Sequence, residues 1–138
     1  MQVQPYLFFE GRCEEALEFY KSALDAEVLT ISRYKESPPQ DRPGMVAPGF
    51  EEKIMHAGFR IGDTTMFASD GHNAGSITYK GFALSIEVQD AATVDRYFNA
   101  LANGGTIQMP AGETFYAQRF GMVTDRFGIL WMLITHKK

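Results

Sequence analysis

The segment FALSIEVQDAATVDRYFNALANGG, residues 82–105, changes its hydrophobic period midway. From Phe82 to Val88 apolar and polar residues alternate, with Leu84, Ile86 and Val88 on one face, as in a strand. After Asp90, a natural helix N-cap, Val94, Tyr97, Phe98 and Leu101 recur at helical spacing, and Asn103-Gly104-Gly105 closes the helix. The same change of period occurs about 77 residues earlier, which superposes Leu7 on Leu84, Leu17 on Val94, Tyr20 on Tyr97 and Leu24 on Leu101. There, Val3 to Phe9 reads as a strand, with Pro5 marking an edge or the strand's start. Cys13, Ala16, Leu17, Tyr20 and Leu24 then form one face of a helix, with Glu14, Glu15 and Glu18 near its positive end.

Three strand candidates follow each helix. After the first come Val28–Tyr34, Ile54–Ile61 and Thr64–Ser69, the last two joined by a tight Gly62-Asp63 turn. After the second come Thr106–Met109, Gln118–Thr124 and Ile129–Ile134, with Asp125-Arg126-Phe127-Gly128 as a turn. The order strand–helix–strand–strand–strand thus occurs twice, consistent with an internal duplication. The fold class is α+β, with paired βαβββ modules at 2–70 and 81–135 in a single domain spanning 1–138. One helix covers one face of each four-stranded module. The uncovered faces must curl around something or meet each other, and a concave, aromatic-lined small-molecule cavity is the expected outcome.

The chain has 138 residues, 45% hydrophobic and 22% charged, an ordinary globular balance that excludes a largely disordered chain. With 13 basic against 17 acidic side chains, a nucleic-acid partner is not expected. No apolar run approaches the roughly 18 residues of a membrane span, and the start MQVQPYLFFEGRCEE lacks the basic and apolar parts of a signal peptide. The single cysteine, Cys13, permits no internal disulfide and fits a reducing, cytoplasmic setting. On the apolar helix face it reads as an inert buried thiol. Residues 35–53 hold four of the six prolines (Pro38, Pro39, Pro43, Pro48) together with Gly44 and Gly49, and read as a long loop of the kind that serves as a lid or binding loop. Asp70 to Lys80 is a second loop.

Three segments carry a resemblance: PYLFFEGRCEEALEFYKSAL (5–24), KIMHAGFRIGDTTMFASD (53–70) and ETFYAQRFGMVTDRFGILWML (113–133). Over residues 3–134 the sequence resembles the vicinal oxygen chelate superfamily of glyoxalase I, extradiol dioxygenases and bleomycin- and fosfomycin-resistance proteins, in its PhnB-like branch. The third segment is the most specific. Proteins of this branch are often labelled 3-demethylubiquinone methyltransferases. The sequence lacks the glycine-rich strand-to-helix loop that a nucleotide-like cofactor needs, since Gly104-Gly105 follows a helix. The resemblance implies a homodimer. It also implies a divalent metal held by His and Glu from the first, fourth, fifth and eighth strands. Those positions here fall on Pro5, near Phe67, on Phe82 or Ala83, and on Met132. Pro, Phe and Ala cannot ligate, and a thioether suits soft metals only. The expected metal is therefore none, and the expected cofactor none.

Of the three histidines, His136 lies in the basic tail and His72 in a loop. If Met55, Ala57, Phe59 and Ile61 face the helix, His56, Gly58 and Arg60 face the cavity. His56 either joins Glu113 or Glu87 in a relocated metal or acid/base site, or only hydrogen-bonds inside the barrel. Ser85 and Glu87 point to the concave side, unless Glu87 ends the strand in water. Glu113 and Arg119 either orient a polar ligand or tie two strands together as an ion pair. Asp70 is either a base at the cavity rim or turn chemistry, and Asp125 the latter with more force. Among the aromatics, Phe8, Phe67, Phe115 and Tyr116 are pocket or core, and Trp131 packs under a helix while Leu130 and Met132 face the cavity. Phe50, in the long loop, is a lid residue or a dimer contact.

The expected function is metal-independent binding of a small molecule by Phe67, Ser85, Glu87, Arg119, Met132 and Phe50. The alternative is a glyoxalase-type lyase or isomerase using His56 and Glu113. A dimeric interaction module without a ligand is a third reading.

Overall fold

The computed structural model describes residues 1–36, 49–71 and 77–137. His72 and the proline-rich part of the long loop (Pro38, Pro39, Pro43, Gly44 and Pro48) lie outside the described residues. The chain forms two compact units, Met1–Ile77 and Thr78–Lys138. The first contains β1 (Tyr6–Phe8), α1 (Cys13–Leu24), β2 (Glu27–Arg33), β3 (Ile54–Ile61) and β4 (Thr64–Ser69). The second contains β5 (Leu84–Glu87), α2 (Ala91–Ala102), β6 (Thr106–Gly112), β7 (Ala117–Thr124) and β8 (Leu130–His136).

Each unit has one four-stranded sheet, in the orders β1-β4-β3-β2 and β5-β8-β7-β6. The two orders are identical once four is added to each label, so the repeat seen in the sequence is a repeat of topology. In each, the first strand lies parallel to the last, and the remaining pairs are antiparallel. Each helix returns the chain so that this parallel pairing becomes possible.

The first core forms where α1 lays Cys13, Ala16, Leu17, Tyr20 and Leu24 on the sheet. Tyr20 stacks on Phe59 of β3 with ring centroids 6.3 Å apart, which fixes Ala57 and Phe59 as the helix-facing side of that strand. No side chain of the α1 N-cap residue, Arg12, caps the helix. Instead the fully buried Asp70, just past β4, accepts from Cys13 N and Ile54 N, both at 2.7 Å. The carboxylate thus satisfies a free helix donor, at the helix's positive end, across 57 residues of sequence. It is a core staple rather than a rim base.

The second core is built from Val94, Phe98 and Leu101 of α2 against Trp131 and Leu133. Asp90 caps α2 as expected, its Oδ1 accepting from Thr93 N at 2.8 Å. Asp125 is indeed turn chemistry: Oδ1 accepts from Phe127 N and Ile129 N, and Oδ2 from the Trp131 indole at 2.8 Å. After α2 the chain passes so close to β7 that a Cβ on Gly105 would lie 2.2 Å from the Thr124 carbonyl oxygen. That neighbour is backbone and cannot swing away. Gly105→Ala is expected to lower stability by about 2–3 kcal/mol, read as an earlier urea midpoint at unchanged slope.

Two strand boundaries move by three residues from expectation, for physical reasons, and the others by at most two. β1 covers Tyr6–Phe8 rather than Val3–Phe9, because ladder pairing starts only past Pro5. β6 runs to Gly112 rather than Met109, passing through Pro110 on an edge strand where a missing donor is tolerated.

Candidate functional site

One face of each sheet carries its unit's helix, and the opposite face, on which no helix of that unit packs, is its open face. In the first unit, strand alternation sends Tyr6, Phe8, Phe67, His56, Gly58 and Arg60 to the open face. Tyr6 lies opposite Phe67 in the parallel ladder, and Phe67 lies opposite Gly58. A ring group results. Tyr6 and Phe8 are 4.9 Å apart, Tyr6 and His56 5.6 Å, and His56 stacks on Phe67 at 5.4 Å. Tyr6 and Phe8 remain 40% and 46% exposed, which is unusual for four rings gathered on one patch. The Tyr6 hydroxyl and His56 Nδ1 share a hydrogen bond of 3.1 Å. With Nδ1 accepting, the His56 proton is on Nε2. A Cβ on Gly58 would lie 3.1 Å from Thr30 Oγ1 and 3.7 Å from the Phe67 ring, and the Gly58 N–H donates to Thr30 Oγ1 at 3.2 Å. At the far end Arg60 pairs with Glu27.

The other expected site residues fall as follows. Phe67 is half-buried in this group. Glu113 sits between β6 and β7 in the second unit, exposed and paired with Lys137 at 3.2 Å. The expected contact between Glu113 and Arg119 is not formed. Arg119 makes a two-pronged pair with Asp95 of α2, at 2.8 and 3.2 Å. Its strand parity matches Gly121, whose missing Cβ makes room for Phe98, so Arg119 lies on the helix side of β7 rather than the open side. Glu87 follows the solvent reading: it is exposed and pairs with His136 at 3.2 Å. Ser85 is exposed and lies opposite Met132. Phe50 is 3% exposed with its ring 6.1 Å from Tyr34, so it is core rather than a lid or an open contact. The feet of the long loop pair with each other, through Tyr34 N to Lys53 O and Lys35 N to Glu51 O, and that pairing carries Phe50 inward. Phe115, by contrast, is 91% exposed, edge-on to Tyr116.

Cys13 is fully buried. Its thiol is pushed far up, first by desolvation and then by the Asp70 carboxylate, which matches the inert reading. Tyr34 is also raised, by burial and by Asp70, and donates to the Gly71 carbonyl. Among the described residues, no three His, Cys, Asp or Glu side chains gather as a metal-holding group. At the positions that the resemblance implies for metal ligands, Pro5 precedes β1, Phe67 is a ring in the aromatic group, Phe82 and Ala83 precede β5, and Met132 is a thioether on β8. A hard divalent ion does not fit that donor set.

Three residues on these faces are not singled out by the sequence. Tyr6 had a signal, its alternation with buried Leu7, but no local cue that β4 would bring Phe67 and β3 His56 beside it. Met109 and Met122 had none, because only strand register aligns them with Met132.

Comparisons agree with this fold. Protein YjdN of Escherichia coli is 37% identical over 96% of this chain and 94% of its own length. The crystal structure of PA1353 from Pseudomonas aeruginosa superposes with a TM-score of 0.86 at 39% identity, covering 100% of this chain and 99% of that one. A Bacillus cereus protein described as a putative 3-demethylubiquinone-9 3-methyltransferase, PhnB protein, gives 0.80 at 29% identity, over 98% and 99%. At 16% identity, a glyoxylase/bleomycin resistance protein/dioxygenase domain from Frankia shares the fold, with a TM-score of 0.65 over 99% of this chain and 98% of that one. The family model described as 3-demethylubiquinone-9 3-methyltransferase matches residues 1–134. The chain belongs to that PhnB-like family, built on the glyoxalase-type fold.

Proposed function

We propose that this protein binds a flat small molecule on the open face of its first unit, without the superfamily's usual divalent metal. The observation that carries this reading is the exposed ring group of Tyr6, Phe8, His56 and Phe67, with one polar handle at its centre. Aromatic faces kept in water at such density favour stacking on another ring, each pair worth about 0.5–1.5 kcal/mol beyond burial. The Tyr6–His56 pair adds one donor and one acceptor to orient the ligand. Methyl transfer, which the family's description names, has no support in the glycines: Gly104 and Gly105 close α2 rather than open a helix. Ser85 and Met132 lie opposite each other on the second unit's sheet, on the face away from α2. A cytoplasmic homodimer is part of the same proposal. Buried, reduced Cys13 is compatible with the location, and sedimentation velocity reads the assembly.

A second reading keeps the glyoxalase-type lyase or isomerase, with one substitution of roles. His56 has Tyr6 as its partner, while Glu113 is engaged by Lys137 in the other unit. The test titrates quinoline and indole as probes, followed by amide and aromatic chemical shifts. Shifts are expected at His56, Phe67 and Tyr6, and Phe67→Ala is expected to weaken binding about tenfold. Shifts confined to the second unit, or affinity in Tyr6→Ala and Phe67→Ala unchanged from the parent protein, would overturn the assignment. In a later substrate screen, His56→Ala separates the two readings: an enzyme loses turnover, and a binder keeps most of its affinity.

A further inference from the structure

We infer a binding site for a soft monovalent metal ion, of the copper(I) or silver(I) class, on the open face of the second sheet. It rests on three methionines aligned by strand register. Met109 of β6 lies opposite Met122 of β7, and Met122 lies opposite Met132 of β8. Residues directly opposite one another project to the same face, with Cβ atoms about 4.5–5.5 Å apart. The row therefore crosses three adjacent strands, and Ser85 of β5 extends it to the fourth. The face is fixed independently. Gly121 packs against Phe98 of α2 and Val123 is buried, so Met122 between them points away from the helix.

A bulge makes the row. From Ile107 opposite Val123, regular pairing would set Gln108 opposite Met122. The irregularity between Ile107 and Met109 inserts a residue and brings Met109 there instead, while Gln108 donates to Thr124 Oγ1 at 3.1 Å. Bulges that re-aim one side chain are concentrated beside functional sites. Met109 stays 45% exposed, and Met122 and Met132 are partly exposed, so none of the three side chains is sealed in the core.

The donor chemistry selects the ion. Thioethers bind soft monovalent copper or silver and decline hard cations. The methionine side chain, with three rotatable bonds, lets the two outer residues lean over the middle one. The neighbouring row, Phe120 opposite Ile134, is apolar and would not serve a strongly hydrated cation. Binding is simple coordination of an ion already in its low oxidation state, with no electron transfer.

The experiment titrates silver(I), which needs no reductant, into the full chain labelled at methionine methyl carbons. A Cys13→Ala background removes the one thiol. One ion per chain is expected, with methyl shifts at Met109, Met122 and Met132 and none at Met66, buried in the first unit. Met122→Leu is expected to weaken binding at least tenfold and the triple leucine variant to abolish it, with the circular dichroism spectrum unchanged. Met66→Leu serves as the control. Unchanged affinity in the triple variant, or silver bound without shifts at the three methyls, would overturn the site. Should the triple variant misfold, the methyl shifts of the parent protein decide alone.

Discussion

Asp125→Ala is expected to lower stability by about 4 kcal/mol, because one buried carboxylate serves three donors. It holds two backbone N–H groups of the turn before β8 and the Trp131 indole, and is itself only 3% exposed. Hydrogen bonds to a charged group contribute about 1.5–3 kcal/mol each, and a buried donor stripped of its acceptor adds its own desolvation. The loss is sub-additive, since the turn relaxes and water enters. Asp125→Asn is expected to fall between: one oxygen still accepts, but its amide N–H must confront another donor. Trp131→Phe isolates the indole's share, and a double-mutant cycle gives the coupling. Urea unfolding followed by circular dichroism reads all three. A cost below about 1 kcal/mol for the alanine variant would mean that the turn does not depend on the carboxylate.

The second large effect is expected at Asp70. Removing its side chain strips Cys13 N at the start of α1 and Ile54 N at the start of β3 of their acceptor, inside a closed core. About 3–4 kcal/mol is expected for Asp70→Ala, from two charged hydrogen bonds plus the favourable charge at the helix N-terminus. The effect has a location as well as a size. Amide exchange should quicken in the first turn of α1 and at Ile54, while the second unit's amides keep their protection. Equal acceleration in both units would show that the staple acts on the whole chain rather than on the first core.

Most of the architecture was legible because it is written in local periods. The change from alternation to helical spacing marked both helices, and Gly62 at φ +57° marked the β3–β4 turn. The parity of β3 put Phe59 on the helix side and His56 opposite, as observed. What was not legible is set by pairing between distant strands. Nothing near His56 announces Tyr6, which arrives through the parallel pairing of β1 with β4. Arg119 was matched with Glu113 on proximity in sequence, whereas the parity of β7 presents it to Asp95 on the helix. Phe50 looked exposed because its loop is rich in proline, yet the paired loop feet fold it into the core. The two buried aspartates looked like turn residues. One is, and the other reaches across 57 positions to a helix that local sequence leaves uncapped.

The parallel closure of each unit sets a schedule during synthesis. Among the described residues β1 has one sheet partner, the last strand of its own unit, so Tyr6–Phe8 waits for that pairing until Phe67–Ser69 has been made. At roughly 5–20 residues per second, the ribosome needs several seconds to add the intervening 60 or so residues. Through that interval the aromatic run Tyr6-Leu7-Phe8-Phe9 waits in the emerging chain. The same delay recurs for β5, which pairs only once Trp131–Ile134 is complete. Two successive waits, each ended by the strand that closes its sheet, divide the making of the chain into two stages, one per unit.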